Sequence, residues 1–152
     1  MVPGVELTDV NWIAVVIAMV VNIVLGFLWY SPKLPTGKIW MRGVGLSEDH
    51  KPTPKQLGVA MTLMVLGSFF MMFVFHHTNL AYRDAYRLDE AAYSLTILDG
   101  VMGAVFTWLG FYVPVLWGSV AWENKPWSLF FVNAGYYLVT LLIAGVIYVS
   151  ML

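Results

Sequence analysis

The chain has 152 residues, 60% of them hydrophobic and 11% charged, whereas a soluble domain carries about a quarter charged residues. That balance excludes an ordinary water-soluble fold and points to the membrane class. A net charge of −1 gives no footing for nucleic acid, and the absence of cysteine excludes disulfides, thiolate metal sites and a cysteine nucleophile.

Placement of charge says more than its average. No Asp, Glu, Lys or Arg lies between Asp9 and Lys33, between Lys55 and Arg83, or after Lys125, and the stretch from Glu90 to Glu123 holds only Asp99. Each stretch exceeds the ~20 residues that carry an α-helix across a ~30 Å hydrocarbon core. None alternates polar and apolar residues as barrel strands do. The expected fold is all-α: an integral membrane bundle of four transmembrane helices. It forms a single membrane domain over 1–152, with spans at about 9–30, 54–77, 91–117 and 127–150.

In chain order, the first span starts with Thr8 or Asp9 as a cap and stops before Pro32. Glu6 and Asp9 precede it where a cleavable signal would carry Lys or Arg, so it reads as a permanent helix. Trp12 at one end, and Trp29 with Tyr30 at the other, mark the interfaces. The following loop includes Lys38-Ile39-Trp40-Met41-Arg42, a mixture of apolar and basic residues suited to resting on headgroups. Thr53, Pro54 and Gln56 form a helix-start signature for the second span, which is expected to end near His76 or His77. A polar connection follows, with a short surface helix suggested by Tyr82 and Tyr86. Asp89 caps the third span, Pro114 kinks it, and Asn124 to Pro126 turn the chain into the fourth.

Six basic residues, Lys33, Lys38, Arg42, Lys51, Lys55 and Lys125, fall at one end of the bundle, against Arg83 and Arg87 at the other. Retention of basic loops in the cytoplasm puts both termini on the non-cytoplasmic side.

Few residues carry chemistry. Asp99, five to eight residues into its expected helix and so roughly 7–12 Å deep, is a proton or cation group or a hydrogen-bonded packing anchor. His76 and His77 close the second span on the same side, within reach of Asp99 across a short connection. Asn22 and Asn133 either bond to neighbouring helices or line a polar cavity. Small residues at Ala14, Ala18, Asn22 and Gly26, and at Thr96, Gly100, Gly103, Thr107 and Gly110, form two packing stripes. Leu25-Gly26-Phe27 before Pro32 and Leu109-Gly110-Phe111 before Pro114 hint at a repeat. No phosphate loop, catalytic triad or metal-ligand spacing appears, so neither cofactor nor metal is expected.

Several stretches also form a pattern: Asn11-Trp12; Gly26-Phe27-Leu28-Trp29-Tyr30-Ser31-Pro32; Gly37-Lys38-Ile39-Trp40-Met41; Gly110-Phe111-Tyr112-Val113-Pro114; Glu123-Asn124-Lys125-Pro126; and Asn133-Ala134-Gly135-Tyr136-Tyr137-Leu138-Val139. In order and spacing they resemble the bacterial membrane family called domain of unknown function 1761. The resemblance implies a small four-helix membrane fold in the bacterial cytoplasmic membrane and no defined activity. It draws attention to the Trp29–Pro32 corner, Trp40 and Asn133.

The expected function is non-enzymatic: a homo-oligomer, or an accessory subunit packing against another membrane protein in the lipid bilayer. The rivals are a small transporter or channel using Asp99, and an intramembrane enzyme acting on lipid or quinone.

Overall fold

Among the described residues, four helices are long and apolar enough to cross a membrane: Trp12–Trp29, Pro54–Tyr82, Ile97–Ala121 and Trp127–Met151. The computed structural model describes residues 6, 9–47, 49–87 and 95–151. The described elements are α1 (Trp12–Trp29), α2 (Pro35–Val44), α3 (Pro54–Arg87), α4 (Ile97–Thr107), a π-helical turn (Trp108–Tyr112), α5 (Val113–Ala121) and α6 (Trp127–Met151).

Helix ends refine the expected spans. Asn11, not Asp9, caps α1, its side chain accepting the Ala14 N–H at 3.1 Å; Thr8 lies outside the described residues. Asp9 accepts the Glu6 N–H and closes a turn before the helix. The start of α3 is as its sequence suggests, with Gln56 Oε1 accepting the Thr53 N–H and Thr53 Oγ1 accepting the Gln56 N–H.

Its end is not. α3 runs through His77 to Arg87 because nothing there breaks a helix: no Gly or Pro intervenes, and Leu80 is fully buried. Thr78 and Asn79 turn their side chains back to the Phe75 carbonyl. Polarity after His77 therefore does not end the helix.

The expected cap Asp89 and the expected start of the third span near residue 91 lie outside the described residues. The described helix begins at Ile97 with Thr96 as its cap. Proline explains the break in that span. Pro114 offers no N–H and its ring crowds the carbonyl four residues back, so the turn before it widens and the Val113 N–H reaches back five residues to the Trp108 carbonyl.

α6 is the hub, packing against each of the other five helices. Its closest neighbour is α4, at a crossing where Gly100 meets Gly145. A Cβ added at Gly100 would lie 2.5 Å from the Gly145 carbonyl oxygen, and one at Gly145 would strike the Gly100 carbonyl. Around this crossing Ala14, Val15, Ala18, Met72, Phe75, Leu80, Ala104, Leu141, Ala144 and Tyr148 form the main core.

The two stripes behave differently. Ala14, Ala18, Asn22 and Gly26 are all buried within the bundle. Gly100 faces α6 and Gly103 faces Asn79 of α3, but Gly110 has open space around its Cα. Gly26, by contrast, packs under the Tyr136 hydroxyl, so the two Leu-Gly-Phe segments sit in unlike surroundings.

Candidate functional site: an aromatic cavity on an asparagine hub

Asn22 sits on α1 in the middle of the bundle, 4% exposed, where an unpaired amide would cost several kilocalories. The neighbouring helices satisfy it. Its Nδ2 donates to Ser68 Oγ of α3 at 2.8 Å. Its Oδ1 accepts from the Tyr136 hydroxyl at 2.6 Å and from Thr140 Oγ1 at 3.1 Å, both on α6. One amide thus joins three helices.

A cavity of about 720 Å³ opens on this hub. Asn22, Ser68 and Tyr136 form its floor, while Phe27, Tyr30, Trp40, Met64, Met71, Tyr112 and Tyr137 contribute to its walls. It lies in the half of the bundle that carries the basic loops, between α1, α3, α6 and the π turn.

The walls are held from outside. Tyr30 donates to Asn133 Oδ1 at 3.1 Å, and the Trp29 indole N–H donates to the Val132 carbonyl at 3.0 Å. Gly135 leaves the room that Trp29 fills, since a Cβ there would lie 3.3 Å from its ring. The corner between α1 and α2 closes through Thr36, which donates to the Trp29 carbonyl. Gly37 is pressed onto the Ser31 backbone so tightly that no Cβ fits. That fold-back brings the Trp40 ring edge-on to Tyr30 at 5.4 Å. On the far wall the π turn directs Trp108 to the Ala134 carbonyl at 2.8 Å and sets Tyr112 against Tyr137 with ring centroids 4.5 Å apart. π turns of this kind are frequent at functional sites.

The residues singled out in the sequence fall into two groups. Asn22 is the floor of the cavity, and Asn133 anchors one of its walls. His76, His77 and Asp99 belong to the other end. His76 is fully buried, its Nε2 accepts the Asn11 N–H at 3.1 Å and its ring lies 4.5 Å from Tyr148. Asn11 is about 16 Å along α1 from Asn22. Adjacent on a helix, the two histidines diverge, and His77 lies along Phe73.

Asp99 is the third residue of α4 rather than the fifth to eighth of a longer helix. Its Oδ2 accepts the Thr96 N–H at 2.6 Å and the Thr96 hydroxyl at 2.7 Å, while Thr96 Oγ1 accepts the Asp99 N–H. This reciprocal pairing satisfies donors that every helix start leaves open.

Ser68, Thr140, Tyr112 and Tyr137 matter to the site and carry weak sequence signals. Ser68 is one hydroxyl in a long apolar run, and Thr140 is legible only as the residue four after Tyr136, on the same helix face. Tyr112 and Tyr137, like most wall residues, lie in the stretches that carry the family resemblance: Gly26 to Pro32, Trp40, Tyr112, Tyr136 and Tyr137 line the cavity or flank it. Stretches far apart in the chain converge on one place.

No curated protein matches the chain, and no solved structure does. The family model described as "protein of unknown function (DUF1761)" matches residues 13–149, from the first turn of α1 to the last turns of α6, and the chain belongs to that family.

Proposed function

We propose that this is a non-enzymatic membrane protein whose working part is the cavity, which takes an uncharged, lipid-soluble molecule from the bilayer around it. The observation that carries this reading is the composition of the cavity wall. Its volume of about 720 Å³ is that of a small-molecule site. Its lining joins aromatic rings to a few hydroxyl and amide groups and contains no charged side chain. The protein would reside in the bacterial cytoplasmic membrane, termini outside, with the cavity in the cytoplasmic half.

Gly67 provides the test. It lies on the cavity wall, and a Cβ there meets nothing within 4 Å, so Gly67→Phe adds a ring at the site from a position with room for its Cβ. Native mass spectrometry of protein released from mild detergent is expected to show a bound small molecule or lipid that Gly67→Phe loses, with far-ultraviolet dichroism unchanged. Identical adducts on both proteins would sink the reading.

A second reading, self-association or docking as an accessory subunit, is supported by α3. From Pro54 to Gly67 every residue except Met61 and Met64 is exposed, including Leu57, Val59, Leu63, Val65 and Leu66. In bilayers this segment has lipid or another helix as its neighbour. The chain contains no cysteine, so Leu63→Cys is a clean probe: oxidation in native membranes is expected to give a disulfide-linked dimer. A strictly monomeric product, with no larger species in mild detergent, would leave the segment facing lipid alone.

A further inference from the structure

The polar groups of the cavity specify the kind of molecule it takes. This inference rests on the cavity being a ligand site, as proposed above. Ser68, Tyr112, Tyr137 and Trp40 all line it, and the O–H or N–H of none of these side chains donates a hydrogen bond to any described residue. The acceptor at the floor is already used, because Asn22 Oδ1 takes both Tyr136 and Thr140. What remains is one indole N–H, which only donates, and three hydroxyls, which donate or accept; a ligand with carbonyl acceptors can use all four.

None of the lining residues is charged, and an ionic headgroup brought here would lose its hydration without gaining a counter-charge. That disfavours phosphate and carboxylate heads. The walls favour a flat, conjugated one: Tyr30, Trp40, Tyr112, Tyr136, Tyr137 and Phe27 present ring faces and edges, which pair with other π systems at centroid distances of about 4.5–7 Å. Met64 and Met71 add polarizable, adaptable contacts. Phe27, 53% exposed, and the exposed flank of α3 lead from the cavity to the lipid, giving an apolar tail a way out.

We infer that the cavity binds the head of a lipid-soluble quinone, an uncharged conjugated ring whose two carbonyl oxygens accept hydrogen bonds from the Ser68, Tyr112, Tyr137 and Trp40 donor set. No redox step is assigned to the protein; the inference concerns binding.

The probe is a benzoquinone bearing a decyl tail, titrated into the full chain in detergent micelles while tryptophan fluorescence is followed. Quenching should saturate in the wild-type protein and should not be displaced by dodecanol, which has a similar tail and no ring. Tyr112→Phe/Tyr137→Phe removes two donors while keeping both rings, and should weaken binding about tenfold, a few-fold for each hydrogen bond. Trp40→Phe should remove most of the saturable quench, and Gly67→Phe all of it. Linear, unsaturable quenching, or an affinity unaltered in the double phenylalanine variant, overturns the assignment. If quinone fails while native mass spectrometry still finds an adduct that Gly67→Phe loses, the cavity remains a ligand site and the ligand is of another class. If both fail, the cavity reading itself falls.

Discussion

Gly100→Leu is expected to leave little folded protein. At the α4–α6 crossing the obstacle to a side chain is backbone on both sides, the Gly145 carbonyl facing Gly100 and the Gly100 carbonyl facing Gly145. A flexible side chain could rotate away from an added atom, but a helical carbonyl cannot move without moving its helix. Overpacking a core costs about 1–3 kcal/mol where neighbours adjust, and here the top of that range or more is expected. The control lies in the same sequence stripe. Gly110 has nothing within 4 Å of its added Cβ, so Gly110→Leu should leave stability unchanged. Unfolding in mixed micelles by dodecyl sulfate, followed by far-ultraviolet dichroism, separates the two. Equal midpoints would mean that the crossing is not as tight as described.

The second large effect belongs to Asn22. Asn22→Leu keeps approximate size and shape but removes three side-chain hydrogen bonds at once: to Ser68 on α3, and from Tyr136 and Thr140 on α6. Interhelical hydrogen bonds in membranes average about 0.6 kcal/mol and reach about 1.7. Ser68 and Thr140 can turn back to their own helix carbonyls, and Tyr136 keeps the backbone carbonyl of residue 22, 3.3 Å from its hydroxyl. A loss of about 1–2 kcal/mol follows. Asn133→Ala removes one bond, to Tyr30 at a half-buried position, and should cost no more than about 0.6 kcal/mol. The same unfolding assay ranks them, and a double-mutant cycle of Asn22→Leu with Tyr136→Phe should be strongly non-additive. Additive losses would show that the hub does not act as a unit.

The four long apolar helices were legible because such segments are free of charge over about 20 residues or more, and that is written directly in the spacing of Asp, Glu, Lys and Arg. Ends were less legible. Thr53–Gln56 could be read because both halves of its hydrogen-bonded pairing are local. The end of the same helix could not, because Leu80 is buried by contacts distant in sequence while the polar residues around it suggest a loop. Asp99 stood out as a carboxylate between apolar stretches, yet its contacts with Thr96 are those of a helix start, and only the position of that start separates the two readings.

The cavity was the least visible feature. Its floor was half visible in Asn22, a lone amide that had to find partners, but Ser68 and Thr140 give no signal until three helices are placed together. Its walls come from a π turn and a folded-back corner, both produced by residues whose effects are steric, Pro114 and Gly37.

The position of α6 at the centre has a consequence for biogenesis. It follows α1 to α5 in the chain, so all five are synthesised before the helix they pack against exists. During that interval the Asn22 carboxamide oxygen lacks both of its α6 donors, Tyr136 and Thr140. The half-made protein therefore carries a carboxamide oxygen without its donors and a Gly100 face with no α6 against it, and completion of the last helix removes both liabilities together. Arrival of α6 is the step that completes the bundle, because the other five helices all pack against it.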